Sequence, residues 1–436
     1  MNRNLVLQAL DAIIHQHRYS NLVIKNDIQS ITKRQEKDWY VYHVYGVIEN
    51  LIFCDWVISQ YAHIKQSKIH PKVLNILRLA VFQLFYSDTS DKTILFESVE
   101  ITKKQLFKSQ GFVNGILRKI SREKDRIIES IEKLEPPQKI SIQYSFPISF
   151  VNQLQKQWEY DEIIAYCLAS NSRPELVLRI NHQLIDRDTF LEQSYFDPKL
   201  LEKTKYAKSG LKLLNPHQFD QTDAYQLGLI TPQDESSMLV TEILNPQSGK
   251  RLIDLCCAPG GKTLHASEWT KGNTHIIGCD IYEHKLKLVE QQIERLKLNN
   301  VKLMIQDSTL FESQFESQFD YAIADVPCSN SGIIRRKPEV KYKESLNSLK
   351  AIQKIQYQIL TNASKYVKRG GRLIYSTCSV FDDENINQIE RFLGENSGYR
   401  LISFEINDII YPGYIQLLPH IHETDGFFIA YIERVL

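Results

Sequence analysis

Hydrophobic residues recur at helical spacing through the first third of the chain. Two such series are Leu5, Leu10, Ile13 and Ile14, and Val73, Leu77, Val81 and Leu84. Pro71 stands just before the second series, and the first turn of a helix tolerates proline. The pattern predicts an all-helical segment over residues 1–135, and Pro136-Pro137 predicts a linker at its end.

Residues 140–245 mix helical and alternating patterns. Helical periodicity covers 160–168, and a short apolar run at 176–180 is typical of a strand. Residues 227–234 predict a strand or loop that leads into a helix at 236–244. We therefore expect a small mixed α/β region in this part of the chain.

From Arg251 onward, short apolar stretches alternate with helical periodicity. Strands are predicted over 252–255, 275–280, 301–306, 321–324, 372–375 and 426–436. Helices are predicted over 283–298, 346–367 and 384–393. This alternation predicts an α/β fold with a doubly wound, mostly parallel, Rossmann-like sheet, which binds ligands at the carboxyl ends of its strands.

The length of 436 residues predicts two or three domains. Their predicted limits are 1–138 for an all-helical domain, 139–245 for the small α/β region and 246–436 for the Rossmann-like domain. Apolar residues make up 43% of the chain, but no run approaches the roughly 18 residues of a membrane span. The N-terminus also lacks a secretory signal, so we expect a cytoplasmic protein without a membrane segment.

The number and spacing of the cysteines favour a catalytic role over a structural one. There are seven of them, and none form a C-x-x-C pair, which disfavours a zinc site. An odd number in a long chain without a signal sequence also disfavours a disulfide framework. We expect no metal, and some of the thiols are candidates for catalysis.

The net charge of +1 hides an uneven distribution of charged residues. Residues 101–140 hold ten Lys and Arg against five Asp and Glu. A basic helical region suits a polyanionic partner such as RNA. A solvated helix face explains the same excess, so the sequence leaves both interpretations open.

A glycine turn follows the first strand of the Rossmann-like domain, in the run DLCCAPGGKT at 254–263. Glycines at a strand-to-helix turn let a ligand approach the backbone, and the helix start offers free N–H groups. The spacing excludes a phosphate-binding loop, because Cys256 stands where G-x-x-x-x-G-K-T needs glycine. The dinucleotide pattern G-x-G-x-x-G is also absent.

Two carboxylates end the next two strands. Asp280 lies 19 residues after Gly261 and can accept the hydroxyls of a ribose. Asp307 follows the third strand and can reach an adenine edge. Each of these residues alone is more simply explained as a turn residue. Together with the glycine turn, they favour a ligand that contains adenosine and is bound without a phosphate-binding loop. The predicted cofactor is S-adenosylmethionine.

Two further strand ends carry thiols, Cys328 in Asp-Val-Pro-Cys and Cys378 in Ser-Thr-Cys-Ser-Val. A thiolate that adds to carbon 6 of cytosine makes carbon 5 reactive enough to take a methyl group, which is covalent nucleophilic catalysis. Lys262 and Asp325 are candidate neighbours of the base or of a thiol. A lone cysteine is more often a small buried hydrophobic residue, but two cysteines at strand ends favour a catalytic role.

The motifs at 256–263, 325–328 and 376–380 together resemble the RNA cytosine-5 methyltransferase family, the NOL1/NOP2/Sun class, over roughly Gln233 to Leu436. The resemblance implies that Cys378 is the nucleophile and that Cys328 helps to release the methylated product. Asp325 is implied to lie near the target base as well. The cofactor-binding residues that the resemblance implies are Cys256, Cys257, Ala258, Pro259, Gly260, Gly261, Lys262, Asp280, Asp307 and Asp325.

The first 135 residues resemble the NusB-type helical RNA-binding domain, mainly through the segment at 112–118. This domain arrangement is similar to that of the Sun (Fmu) group of bacterial enzymes, which implies 16S ribosomal RNA, naked or in early assembly, as the partner. The basic run at 333–338 suits phosphate contact or an exposed loop equally well. Asn330-Ser331 departs from the usual Gly-Thr of the family, and Cys257 from its frequent alanine, so we expect an altered loop beside an intact site.

We therefore expect S-adenosylmethionine-dependent methylation of carbon 5 of one cytosine in small-subunit 16S ribosomal RNA, by a monomer. DNA cytosine methyltransferases lack the second cysteine motif, here Ser-Thr-Cys-Ser-Val, so the presence of both motifs favours RNA as the substrate. A transfer RNA cytosine-5 methyltransferase is the first alternative. A non-catalytic RNA-binding or antitermination factor is the second, and the presence of both Cys328 and Cys378 disfavours it.

Overall fold

A computed structural model describes residues 2–193, 195–214, 219–343 and 346–436. The chain forms two compact units. The helical unit contains Met1–Ser172 and Ile334–Ser345, and the α/β unit contains Arg173–Ile333 and Leu346–Leu436. The limits of the three domains inferred from the sequence remain a prediction.

The helical unit confirms the helices expected over residues 1–135. Its helices are α1 (Arg3–Ile14), α2 (Ser20–Asp27), α3 (Arg34–Glu49), α4 (Leu51–Tyr61), α5 (Pro71–Tyr86), α6 (Asp91–Gln105), α7 (Gln110–Arg122), α8 (Lys124–Glu132), α9 (Pro136–Tyr144), α10 (Ile148–Leu154) and α11 (Tyr160–Ser170). Among the described residues no single helix is long and apolar enough to cross a membrane, whereas α3 and α4 pass that test as a pair bent by 71°.

Helix α5 supplies much of the core of this unit. It begins at Pro71, as expected, and Leu77 and Val81 are completely buried against the neighbouring helices. The linker predicted at Pro136-Pro137 is wrong, because α9 begins at these residues. Proline lacks the backbone N–H that the first turn of a helix leaves unpaired, so two prolines can start a helix as well as end one.

A short segment that follows the first cysteine motif in sequence belongs to the helical unit. It forms a 3-10 turn at Pro338–Tyr342. Lys341 in this turn is completely buried and donates to the carbonyl of Glu49 (2.8 Å) and to Asn171 Oδ1 (3.0 Å). Burial lowers the pKa of Lys341 to about 7. The phosphate contact expected of the preceding basic run remains a prediction.

The α/β unit holds all the strands of the described chain. They are β1 (Leu176–Ile180), β2 (Leu201–Lys203), β3 (Gly210–Leu213), β4 (Ile230–Pro232), β5 (Arg251–Asp254), β6 (His275–Asp280), β7 (Val301–Ile305), β8 (Phe319–Asp325), β9 (Val367–Thr377), β10 (Tyr399–Leu401), β11 (Phe404–Ile406), β12 (Ile409–Tyr411), β13 (Tyr414–Leu417) and β14 (Phe427–Arg434). Its helices are α12 (Arg187–Glu192), α13 (Asp223–Gln226), α14 (Glu235–Leu244), α15 (Gly261–Trp269), α16 (Glu283–Leu296), α17 (Leu346–Tyr366), α18 (Ile386–Glu395) and α19 (Pro419–His422).

The large sheet has the order β10-β14-β9-β8-β5-β6-β7, and β13 also pairs with β14. Strands β9, β8, β5, β6 and β7 are parallel, and β14 is antiparallel to β9. Leu252 and Ile253 of β5 point to opposite faces, as successive strand residues do. Leu252 packs in a cluster with α14, and Ile253 in a cluster with α17 and α18. The doubly wound, mostly parallel fold is confirmed.

A small antiparallel sheet of order β2-β3-β1-β4 precedes the large one in sequence. Arg179 of β1 is completely buried and makes a bidentate ion pair with Glu268 of α15, at 2.7 and 2.8 Å. It also donates to the carbonyl of Gly261 at 2.8 Å. This arginine therefore braces the first turn of α15, which begins at the glycine turn.

Candidate active site

The glycine turn joins β5 to α15 at the carboxyl edge of the sheet. Gly260 has a left-handed backbone, with φ of +107°. A Cβ at this position would lie 3.0 Å from Leu264 and 3.1 Å from Val289, so a larger residue would meet both strain and crowding. Within the part of the chain that the structure describes, no side chain caps the start of α15. The N–H groups of its first turn are thus suited to bind the negative group of a ligand.

A buried carboxyl group holds this turn in shape. Asp254 ends β5 and accepts hydrogen bonds from Thr263 Oγ1 (2.5 Å) and from the N–H of Cys256 (3.3 Å). Burial raises the pKa of Asp254 to about 7. The sequence places Asp254 in the motif without giving it a role, and its function here is to fix the loop between β5 and α15.

Asp280 and Asp307 follow neighbouring strands of the same parallel sheet. Asp280 is the last residue of β6, and its Oδ1 accepts the N–H of Tyr282 at 3.0 Å. Asp307 comes two residues after β7, and its Oδ1 accepts from the N–H and hydroxyl of Thr309 at 2.9 and 2.7 Å. Among the described residues, the hydrogen bonds of each turn go to Oδ1 of the carboxylate. The arrangement suits the hydroxyl and amino groups of an adenosine.

Lys262 and Asp325 form an ion pair that the sequence does not predict. Lys262 Nζ lies 2.7 Å from Asp325 Oδ2, and both side chains are mostly buried. Asp325 Oδ1 accepts a hydrogen bond from Ser376 Oγ at 2.8 Å. Lys262 also lies over the ring of Phe427, 5.1 Å from its centre. The pair therefore connects the first turn of α15 to the end of β9.

The two thiols lie side by side after adjacent parallel strands. Cys328 follows β8 and Cys378 follows β9, and their Sγ atoms are 2.9 Å apart. Cys328 is buried, whereas Cys378 is partly exposed. Burial raises the pKa of Cys328 well above its usual value, and the neighbouring Cys378 adds to the effect. Cys328 is therefore a neutral thiol near pH 7.

Asn330 contacts both cysteines. Its backbone is left-handed, with φ of +59°, a conformation that asparagine tolerates better than most residues. Its Oδ1 accepts a hydrogen bond from Cys378 Sγ (3.2 Å), and its Nδ2 donates to the carbonyl of Cys328 (3.0 Å). The departure from the usual family loop thus places an amide next to the accessible thiol.

The remaining candidates differ in surroundings. Cys256 is partly exposed, and burial raises its pKa well above the usual value. Cys257 is buried, close enough to Gly278 that a Cβ there would lie 3.1 Å from its sulfur. Its backbone N–H donates to Cys279 O at 2.8 Å. The binding roles of Cys257 and of the other turn residues remain predictions.

Three family models match successive parts of the chain. NusB family covers residues 1–122, an RsmF/B-like ferredoxin-like domain covers 146–220, and 16S rRNA methyltransferase RsmB/F covers 241–433. The resemblance of the N-terminal region to NusB is confirmed. The ferredoxin-like match covers β1, β2 and β3 of the small sheet, and with them Arg179.

Curated relatives match along the full length. The chain is 32% identical to the probable ribosomal RNA small subunit methyltransferase B of Bacillus subtilis, over 99% of this chain and 98% of the relative. It is 29% identical to ribosomal RNA small subunit methyltransferase B of Photorhabdus laumondii, over 99% and 98%. The fold is similar to the crystal structure of PH0851, with a TM-score of 0.82, 23% identity and coverage of 98% and 97%.

Proposed function

The chain belongs to the 16S rRNA methyltransferase RsmB/F family, and from this premise we propose that it methylates carbon 5 of one cytosine in small-subunit 16S ribosomal RNA. Methylation of ribosomal RNA is the activity of the family. The carbon-5 target is our proposal, and one observation carries it. Two thiols follow adjacent parallel strands with their sulfur atoms 2.9 Å apart, one buried and one accessible.

The methyl donor is S-adenosylmethionine, which supplies an electrophilic methyl group when bound. The residues present fit this molecule. The uncapped first turn of α15 would bind its carboxylate, Asp280 would accept its ribose hydroxyls, and Asp307 would contact its adenine edge. The left-handed Gly260 keeps the turn clear of side-chain atoms.

The different exposure of the two cysteines supports different tasks for them. A nucleophile must reach the base, and the partly exposed Cys378 can do so, whereas Cys328 is buried. The active form of the nucleophile is the thiolate. Cys328 remains protonated because burial raises its pKa. We therefore assign the attack on the base to Cys378 and assistance in product release to Cys328.

The covalent steps follow from this assignment. The thiolate of Cys378 forms a bond to carbon 6 of cytosine, and the electron pair of the carbon 5–carbon 6 double bond becomes available at carbon 5. Carbon 5 takes the methyl group as the bond between that group and the donor sulfur breaks, and carbon 5 then loses its proton to solvent water. The electrons of that C–H bond restore the double bond and expel the sulfur of Cys378, whose departure the thiol of Cys328 assists by sharing its proton.

Asp325 is the residue that we propose to hold the target base. Its carboxylate can accept a hydrogen bond from the amino group of cytosine. Lys262 and Ser376 fix the orientation of this carboxylate through the ion pair and the hydrogen bond to its two oxygens. The cytosine must leave any base stack to reach the thiol, so protein-free RNA should be a better substrate than the assembled subunit.

Transfer of labelled methyl from S-adenosylmethionine tests the proposal. Naked 16S ribosomal RNA, the assembled small subunit and bulk transfer RNA are compared in parallel, with nucleoside analysis of the products. We expect 5-methylcytosine in naked ribosomal RNA. Label confined to transfer RNA would overturn the substrate and keep the chemistry. Label on another atom of ribosomal RNA would overturn the carbon-5 assignment, and no label would favour a non-catalytic RNA-binding factor.

A further inference from the structure

One buried carboxylate that the proposed mechanism does not use is bonded to both cysteine loops. Glu384, in the turn before α18, is completely buried. Its Oε2 accepts the N–H of Ser329 at 2.9 Å, and its Oε1 accepts from Ser379 Oγ at 2.6 Å. Ser329 directly follows Cys328, and Ser379 directly follows Cys378. A single side chain thus holds the residue next to each thiol.

Gln356 of α17 fixes the other side of the first loop. Its Nε2 donates to the carbonyl of Pro327 (3.0 Å), directly before Cys328, and to Glu384 Oε2 (2.8 Å). Both partners are acceptors, so the amide must direct its NH2 group towards them. Its Oε1 is buried and has no hydrogen-bond partner within the described residues. Glu384 Oε2 therefore accepts hydrogen bonds from both Gln356 and Ser329.

A buried carboxyl group is costly for stability unless hydrogen bonds compensate for the hydration that it has lost. Glu384 receives three such bonds, and within the described residues it forms no ion pair with a Lys, Arg or His side chain. The three donors come from different parts of the chain, namely Ser329, Gln356 and Ser379. The carboxyl group therefore joins these parts at one point.

We propose that Glu384, with Gln356, is a positioning residue that sets the separation of the two thiols. Cys328 lies between Pro327, whose carbonyl accepts a hydrogen bond from Gln356, and Ser329, whose N–H donates to Glu384. Cys378 is followed by Ser379, whose hydroxyl donates to the same carboxyl group of Glu384. Without the carboxylate, the two loops keep only their direct contacts, such as the bond from Gly332 N–H to the carbonyl of Cys378 and that from Val380 N–H to Ser331 Oγ, and the sulfur atoms separate. The catalytic consequence rests on the proposed function, but the separation of the thiols does not.

A dithiol reagent measures this separation directly in the full-length protein. Phenylarsine oxide forms two arsenic–sulfur bonds and releases water only when two thiols are neighbours. We expect Glu384→Ala to weaken its capture by about tenfold, because the second thiol loses effective concentration. Glu384→Gln, which keeps the shape but replaces one acceptor oxygen by an NH2 group, should lose about threefold. Cys378→Ala gives the background capture by the other cysteines.

Glu235→Ala is the matched control. Glu235 is another buried carboxylate of the α/β unit, and it accepts the backbone N–H groups of Tyr206 and Ala207. Its loss should destabilise the fold without changing capture of the arsenical. The proposal is overturned if Glu384→Ala captures the reagent like the unaltered protein, or if Glu235→Ala loses as much. If Glu384→Ala does not fold, Glu384→Gln decides, and unchanged capture overturns the proposal.

Single-turnover methyl transfer then separates this proposal from the proposed function. We expect Glu384→Ala to lower the rate constant by about a hundredfold, since misplacement near a reacting group has effects of this order. Its affinity for RNA should stay unchanged. If the unaltered protein transfers no methyl group, the proposed function fails, and the arsenical result still decides the role of Glu384.

Discussion

Gly332 and Gly426 lie backbone against backbone at the base of the Cys328 loop. The N–H of Gly426 donates to the carbonyl of Gly332 at 2.8 Å, and the N–H of Gly332 donates to the carbonyl of Cys378 at 2.8 Å. A Cβ at Gly332 would lie 1.8 Å from the carbonyl oxygen of Gly426. This contact leaves no room for any side chain, which explains why glycine ends the Ser-Asn-Ser-Gly loop.

Gly332→Ala is therefore expected to displace the loop that carries Cys328. The new methyl group meets backbone atoms, which cannot rotate away as a side chain can, so we expect a loss of about 2–3 kcal/mol in the free energy of unfolding. Urea denaturation measures the loss. Gly394→Ala is the control, because Gly394 lies in α18 with nothing near its Cβ position. That variant should be equally stable or more stable by up to about 1 kcal/mol. A Gly332→Ala protein of unchanged stability would contradict the contact.

Cys378→Ala should abolish methyl transfer while binding of S-adenosylmethionine survives. In the proposed mechanism this side chain supplies the bond to carbon 6. The other partly exposed thiol of the described residues, Cys256, follows β5, and burial and the neighbouring carboxylates raise its pKa well above the usual value. Calorimetry measures cofactor affinity, and labelled methyl transfer measures activity. Cys54→Ala is the matched control, since that thiol is buried in the helical unit. Normal activity of Cys378→Ala would show that another group is the nucleophile.

Cys328→Ala should accumulate a covalent complex between protein and RNA. In this variant Cys378 can still attack and the methyl group can still be taken up, but the departing sulfur has lost the thiol that lies 2.9 Å away. Denaturing electrophoresis with labelled RNA reveals the complex. The Cys328→Ala, Cys378→Ala double variant should show none. Absence of the complex in a folded, cofactor-binding Cys328→Ala protein would remove the product-release role.

The sequence predicts the position of each motif because strand ends in a parallel sheet meet at one edge. Asp280, Cys328 and Cys378 were expected after strands, and the structure places all three there. The helical periodicity also predicts α5 and its start at Pro71. These features depend on local pattern and on a general rule of topology, so a single sequence is sufficient to find them.

Contacts between distant segments were not predictable in the same way. The Lys262–Asp325 pair joins residues 63 positions apart, and Glu384 connects loops through hydrogen bonds that leave no periodic signal. Pro136-Pro137 was misread because proline both ends and begins helices, and only the surrounding packing decides between them. A partial signal existed for Asn330, whose departure from the family loop was visible without its contact to Cys378.

Asp254 makes stability depend on pH in a direction opposite to that of most carboxyl groups. Its pKa is raised from 3.8 to about 7 by burial, so the folded protein keeps this proton over a range in which the unfolded chain has lost it. The free energy of unfolding therefore falls as pH rises from about 4 towards 7. The stabilisation that comes from the protonated Asp254 carboxyl is fully lost above the pKa of the folded state. The ionised form would place a charge beside the glycine turn without a cation bonded to it.

Asp254→Asn should remove this dependence, because an amide keeps the bond to Thr263 without ionising. Between about pH 5.5 and about pH 8, we expect the unaltered protein to lose about 2 kcal/mol of unfolding free energy relative to the variant, a difference set by the pKa of about 7. Urea denaturation at both pH values measures it. Asp125→Asn, at an exposed site on α8, controls for the change in net charge and should follow the unaltered protein. Parallel pH curves for Asp254→Asn and the unaltered protein would show that Asp254 is already ionised at the lower pH.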